Sequence, residues 1–294
     1  MTTYHVKVTG TVGGAGTDGD PKREIPQAMA LCAAGGTSFR SSADEVLVHY
    51  DASLTFDEFA ATITRGVPVI GVDGSGYRWD DGLHYLTGLA DPGGIEAVRA
   101  RAQRPRVLGV AASQVGEFYE WQSFIGLIFD GDATVADCTD GTGTREVELV
   151  DCVMRDGTGL GIKGAESGSI FTRVQFDGCQ GGAFYLIGKN INAYGCLAWD
   201  CGGATAVMGA TGASTVLWNC LVAHSGSAGR AFLLGASGTA KNCNAYDNGS
   251  AYGFSSAGTK TNCNAYSLTG HASGDFEGGT PATCTTVDPL FADV

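Results

Sequence analysis

Proline and positive charge are both scarce in this chain. Seven prolines among 294 residues, with no Gly-X-Y period, exclude a collagen-like triple helix. Eighteen Lys and Arg stand against 31 Asp and Glu, a net charge of −13. Residues 1–106 carry 10 basic and 13 acidic side chains, and residues 107–294 carry 8 and 18. So acidic a second half argues against general nucleic-acid binding, which needs cations against phosphate. No apolar run reaches ~18 residues, so no membrane-spanning helix is expected. The opening Met-Thr-Thr-Tyr-His-Val-Lys-Val lacks a charged region followed by an apolar stretch. No export signal is expected, and the ten Cys therefore read as reduced thiols rather than a disulfide frame. The five His are dispersed. What is abundant is glycine, 46 of 294 residues, roughly twice the usual share.

The second half repeats itself. Thr-Ala-Lys-Asn-Cys-Asn-Ala-Tyr (239–246) and Thr-Lys-Thr-Asn-Cys-Asn-Ala-Tyr (259–266) nearly coincide. Further back come Trp-Asn-Cys-Leu-Val-Ala-His (218–224), Tyr-Gly-Cys-Leu-Ala-Trp-Asp (194–200) and Val-Asp-Cys-Val-Met-Arg-Asp (150–156). Aligned on cysteine, one column reads Cys152, Arg173, Cys196, Cys220, Cys243, Cys263, Cys284, in steps of 20 to 24 residues. A period of that length, without a leucine-rich consensus, predicts an all-β parallel solenoid of ~20–24 residues per coil, each coil about 4.8 Å above the last. Short strands such as Leu221-Val222-Ala223 alternate with Gly, Asn and Asp corners, where glycine supplies positive φ. Stacked inward-pointing Cys serve as small apolar fillers. Metal or redox chemistry by them is the weaker reading, because no Cys-x2-Cys spacing occurs.

The pattern Asn-Cys-x-Ala-x-x-Asn-Gly followed by Gly-Phe, closed by Val-Asp-Pro-Leu-Phe-Ala-Asp (287–293), resembles right-handed parallel β-helix proteins of the pectate-lyase-like superfamily. The resemblance covers residues 107–294. It implies the fold, and it includes the β-helices that phages use as virion structural proteins. Residues 1–106 are expected to form the cap and first coils, with a short capping helix at 23–36 and strands at 44–50 and 67–72. A cap covers strand edges and core side chains that an open solenoid end would expose. Residues 92–104 read as a helical insertion. Arg99, Arg101 and Arg104 there, with Arg106 just beyond, are either a solvated face or a docking patch for an acidic partner. The aromatic group Phe118, Tyr119, Trp121 and Phe124 reads as core or as a lateral contact.

Four residues after each position of the cysteine column come Asp156, Asp177, Asp200, His224, Asp247 and Ser267. A row of carboxylates at coil spacing suits glycoside hydrolysis or cation binding. Asp before Gly is equally an ordinary turn former, accepting local backbone N–H bonds. The motifs of the polygalacturonase-like and pectate-lyase-like enzymes are not matched residue by residue: Gly-His-Gly is missing, and His271 sits in Gly-His-Ala. No catalytic, cofactor or metal residue is therefore assigned. The expected role is a non-enzymatic structural component of a virus particle, a phage capsid decoration, minor capsid protein or tail-fibre part, assembled in the host cytoplasm. Its expected partners are other virion proteins, a second copy of the chain, or surface carbohydrate, with neither nucleic acid nor membrane. Two alternatives stay open. One is a lyase or hydrolase of acidic polysaccharide. The other is a non-catalytic carbohydrate-binding solenoid using Trp199, Tyr194, Tyr246 and Tyr266.

Overall fold

The computed structural model describes residues 2–57, 65–80, 103–109, 114–118, 120–140, 146–164, 168–186, 190–203, 205–212, 214–226, 229–247, 249, 251–267 and 274–287. Within them the chain is a parallel β-solenoid with three faces. The first sheet has ten strands, beginning β1 (Thr2–Thr11), β2 (Asp44–His49) and β4 (Pro68–Val72), and continuing through Gln122–Ile125 to Thr259–Thr261. The second has nine, from β3 (Phe56–Asp57) through Arg106–Leu108 to Asn264–Tyr266. The third has eight, from Gln114–Glu117 to Gly274–Phe276. The first sheet crosses residue 106 unbroken, because Pro68–Val72 pairs with Gln122–Ile125.

One coil shows why the sequence winds this way. In Ile191–Tyr194, Ile191 and Ala193 point inward and are buried. Gly195 then turns the corner with φ 63°. Cys196 and Ala198 point inward again, while Leu197 and Trp199 face outward. Asp200 turns the second corner with φ 50°, and Cys201 starts the next inward run. Alternation along each strand, broken by one left-handed residue at each corner, makes the coil.

The first corner is a column of left-handed residues: Gly126, Asp151, Arg173, Gly195, Asn219, Asn242 and Asn262. The buried column comes one residue later: Leu127, Cys152, Val174, Cys196, Cys220, Cys243 and Cys263. Val174 therefore occupies the place the cysteine spacing gives to Arg173. Arg173 sits on the corner and binds Asp151 on the previous coil through both Nε and a terminal nitrogen, at 3.0 Å each.

All ten cysteines are free and buried. Each thiol of the main ladder donates to a carbonyl of the preceding coils. Cys152 reaches Phe124, Cys196 reaches Phe171, Cys220 reaches Ala193, Cys243 reaches Leu217 and Cys263 reaches Ala240, at 3.3–3.5 Å. Burial pushes the Cys152 thiol up to about 12. Cys179, which the sequence places at a turn, instead points inward just past the second corner, 3.9 Å from Cys138.

The third face supplies the bulk of the core. Phe184, Met208, Phe232, Phe254 and Phe276 follow one another in register. Phe232 stacks on Phe254 at 4.8 Å and Phe254 on Phe276 at 5.1 Å. Burying each such ring contributes roughly 1.5–3 kcal/mol. Opposite them the second face carries the small ladder Ala198, Val222, Ala245 and Ala265. Phe118, Phe124 and Phe129 fill the early coils with ring contacts of 5.0–5.9 Å. Trp121 lies outside them against Phe39, and Tyr119 is outside the described residues.

The N-terminal end differs in detail from the sequence reading. The first strand is β1, not 44–50. Its Tyr4-x-Val6-x-Val8 alternation buries one face beside β2. The expected helix shortens to α1 (Ile25–Met29), opened by Pro26, with Ile25, Ala28 and Met29 buried. A second apolar group, Leu47, Ile70, Val72, Trp79 and Ile125, lies on the outer side of the first sheet. Arg104 covers it, with its guanidinium 4.0 Å from the Trp79 ring and Nε donating to the Asp151 carbonyl at 2.7 Å. Arg99, Arg101 and the rest of the expected helical insertion up to residue 102 lie outside the described residues. Among the described residues no helix is long and apolar enough to cross a membrane.

Candidate functional site

The outward side of the second sheet gathers the polar and aromatic residues that carry chemistry. From Arg106–Leu108 onward its strands are three residues long, with the first and third on the outer side. The third position reads Asp130, Arg155, Asp177, Trp199, Ala223, Tyr246 and Tyr266 along the solenoid axis. The adjoining left-handed corner reads Asp156, Gly178, Asp200, His224 and Asp247. Asp177 thus stands one column away from Asp156 and Asp200, with Gly178 in the place that fixed spacing gives to Asp177. This is the Arg173 slip again, carried four residues onward.

The face divides into two halves. The N-terminal half is ionic. Asp130 is 1 % exposed and lies between two guanidiniums, Arg106 at 2.8 Å and Arg155 in direct contact. Its other oxygen accepts the Asp132 amide at 2.9 Å. Arg106, one of the four arginines of the candidate docking patch, is thus engaged within the chain, as is Arg104. On the far side of Arg155 stand Asp156 and Asp177. Partial burial holds the Asp156 carboxyl above its ordinary range, and the Asp130 charge adds to the effect. Asp177 is raised for the same first reason, with Asp156 and Asp200 as further repelling charges. Asp156 and Asp200 hold the left-handed corner, as turn residues do, and Asp177 stands beside them at the end of its strand.

The C-terminal half is aromatic. Trp199 is 44 % exposed. Its ring lies 4.4 Å from His224, which meets Tyr246 edge-on at 5.5 Å. Tyr246 and Tyr266 stack at 6.1 Å. Asp247 fixes His224 through Nδ1 at 3.1 Å. Of the four aromatics named from the sequence, Trp199, Tyr246 and Tyr266 share this ladder. Tyr194 belongs to the neighbouring face, paired in register with Trp218. Both are exposed, at 36 % and 40 %, and Lys241 lies 4.8 Å over the Trp218 ring. Chemically, the whole strip offers flat π faces that stack on the C–H face of a sugar ring and carboxylates that accept its hydroxyls.

Sequence reasoning missed three groupings. Trp218 carries the period of Tyr194 one coil later, a signal already in the alignment. Asp130 and Arg155 share a column that appears only once strand register is known, and Arg106 reaches the same carboxylate from the neighbouring column. His5 and His49 come from strands whose neighbourhood no spacing rule gives. His5 Nδ1 and His49 Nε2 are 2.9 Å apart, with the rings 5.2 Å between centroids. Burial lowers both imidazoles, His49 to about 4.

Comparison with known proteins fits this architecture. Residues 123–271 match the family described as the right-handed β-helix region. No curated protein matches significantly in sequence. Among solved structures, a GH136 lacto-N-biosidase from Eubacterium ramulus aligns with a TM-score of 0.52 at 9 % identity, over 94 % of this chain and 57 % of its own. A rhamnogalacturonan lyase gives 0.48 at 14 % identity, over 90 % and 74 %. The ORF18 protein of Geobacillus virus E2 gives 0.49 at 11 % identity, over 95 % and 58 %. This chain therefore spans little more than half of the biosidase and of the virus protein. At these identities the likeness is one of fold. The family match extends over half of the chain and falls on the coils whose register is described above, so the chain belongs to the right-handed β-helix family.

Proposed function

We propose that this chain is a non-catalytic structural solenoid of a virus particle, a phage capsid decoration or tail-fibre component, whose second-sheet face engages saccharide. The observation that carries the saccharide reading is the ladder of exposed Trp199 with half-buried Tyr246 and Tyr266, which share one outward column beside Asp200 and Asp247. Each coil hydrogen-bonds to its neighbours, so the ladder is rigid and needs little ordering when a sugar chain lies along it. The particle setting is supported by the ten reduced, buried thiols, which suit folding in a reducing cytoplasm. It is supported also by a scaffold whose strands pair with neighbours on successive coils. Arg99 and Arg101 remain the docking residues proposed for an acidic virion partner.

Affinity electrophoresis through gels containing bacterial surface polysaccharides tests the reading. Retardation by at least one glycan is expected, weakened several-fold in Trp199→Ala and Tyr246→Ala. Unchanged mobility of the wild-type chain across the panel would remove the saccharide reading.

One observation favours a second reading, hydrolysis or lyase cleavage of an acidic polysaccharide. Asp177 and Asp156 both hold their protons more tightly than an ordinary carboxyl, as a general acid must. Product release abolished in Asp177→Ala would establish it.

A further inference from the structure

The first coil places two imidazoles and a carboxylate together on the outer side of β1 and β2. His5 faces outward from β1, and His49 ends β2. In register His5 opposes Leu47, so His49 lies two residues further along on the same face. Asp18 comes from the loop that follows β1. Its Oδ1 lies 3.6 Å from His5 Nδ1. One potential ligand atom from each of the three residues falls within 4.8 Å of the others. Lys7 completes the group, donating to Asp18 Oδ1 at 2.7 Å.

We propose that His5, His49 and Asp18 form a binding site for a divalent transition-metal ion of the zinc, cobalt or nickel class. With metal–ligand bonds of about 2.0–2.2 Å, neighbouring ligand atoms stand about 2.9 Å apart in an octahedron and about 3.4 Å apart in a tetrahedron. The observed separations, 2.9 Å between the imidazole nitrogens and 3.6 Å from imidazole to carboxylate, bracket those edges. Two facing ring nitrogens hold one proton between them. A metal takes both lone pairs once that proton moves to the far nitrogen of its own ring and the rings turn to aim both nitrogens at the ion. The Lys7 ammonium is the competitor, because it already neutralises Asp18. A cleft of about 270 Å³ adjoins the group, lined by Lys7, Thr9, His49, Tyr50, Asp51 and Asp73 among others. It gives an ion and its remaining waters a path to His49.

The site joins three separate parts of the chain: the edge strand β1, the loop carrying Asp18, and β2. β1 is the outermost strand of the first sheet. A bound ion therefore ties β1 and the loop that follows it to β2, which makes the site a structural staple.

The test titrates zinc chloride and cobalt chloride into the full chain, produced without a histidine tag. Calorimetry is expected to give one ion per chain. Cobalt is expected to give visible bands of nitrogen and oxygen ligation without a thiolate charge-transfer band. His5→Ala and His49→Gln are each expected to weaken binding at least ten-fold, and Lys7→Met to tighten it. His224→Ala, which alters the other histidine–aspartate pair, is expected to bind as the wild type does. Zinc should raise the melting temperature of the wild-type chain and leave that of His49→Gln unmoved. Metal-free melting and circular dichroism confirm that each variant is folded. No binding, a thiolate band, or wild-type affinity in either histidine variant would overturn the proposal.

Discussion

Cys220 illustrates how much a single position carries. Its thiol is buried, fills a slot between coils and donates to the Ala193 carbonyl at 3.5 Å. Cys220→Ala removes both contributions and is expected to cost about 1–2 kcal/mol in urea unfolding. In the native state Cys152, Cys196, Cys220, Cys243 and Cys263 are expected to resist a thiol reagent until global unfolding. A fast-reacting thiol among these five would contradict the ladder. Two acidic residues make opposite pH signatures. Glu277 is held down to about 2, first by its bond from Arg230. Its contribution is present above the ordinary carboxylate range and is lost as pH falls towards that value. Asp177 is raised, so it contributes stability below the ordinary range and loses it as pH rises through its own pKa. At pH 7, therefore, Glu277→Gln should lower the melting temperature and Asp177→Asn should raise it. Both differences should shrink under acid, the Asp177 difference first. Melting curves at pH 3, 5 and 7 check both signs.

At the level of the coil, the corners decide register. Asn219 holds φ 55°, a conformation that costs most side chains roughly 1 kcal/mol or more and glycine almost nothing. Asn219→Gly should leave thermal stability within error, while Asn219→Val should lower it clearly. Differential scanning calorimetry of the pair measures this. Gly126 is stricter, because an added Cβ would overlap the Trp79 ring. The same corners explain how far the sequence could be read. Cysteine, with its repeating neighbours, exposed the coil length and the second-sheet strands correctly. It could not mark the coil that has valine in its place. At 171–177 the eye takes Arg173, the polar landmark, and the register slips by one. In a strand of period two such a slip moves a residue between core and surface, which is why Asp177 seemed to line up with Asp156. β1 was missed for a related reason. Its alternation of Tyr4, Val6 and Val8 with His5 and Lys7 is a half-buried edge signature, without the apolar run that revealed β2. The His5–His49 approach follows from pairing those two strands, so it too was hidden.

For the molecule as a whole, composition spoke for the scaffold and against little else. Glycine serves corners and close backbone passages. Cysteine serves the interior. The acidic second half now has a location, since Asp156, Asp177, Asp200 and Asp247 stand on or beside one edge of the second sheet. That edge also holds the aromatic ladder, so charge and stacking surface run together along the axis. Along the axis this outward column runs from Trp199 through buried Ala223 to Tyr246 and Tyr266. The central claim is that this face holds saccharide without cleaving it. The direct measurement incubates the full chain with a panel of acidic and neutral polysaccharides, with and without calcium, and assays new reducing ends and unsaturated products. The account predicts none above a no-protein control, even with a glycan that retards the chain in a gel. Calcium-dependent or calcium-independent product that disappears in Asp177→Ala would contradict it and make the carboxylate row an active site.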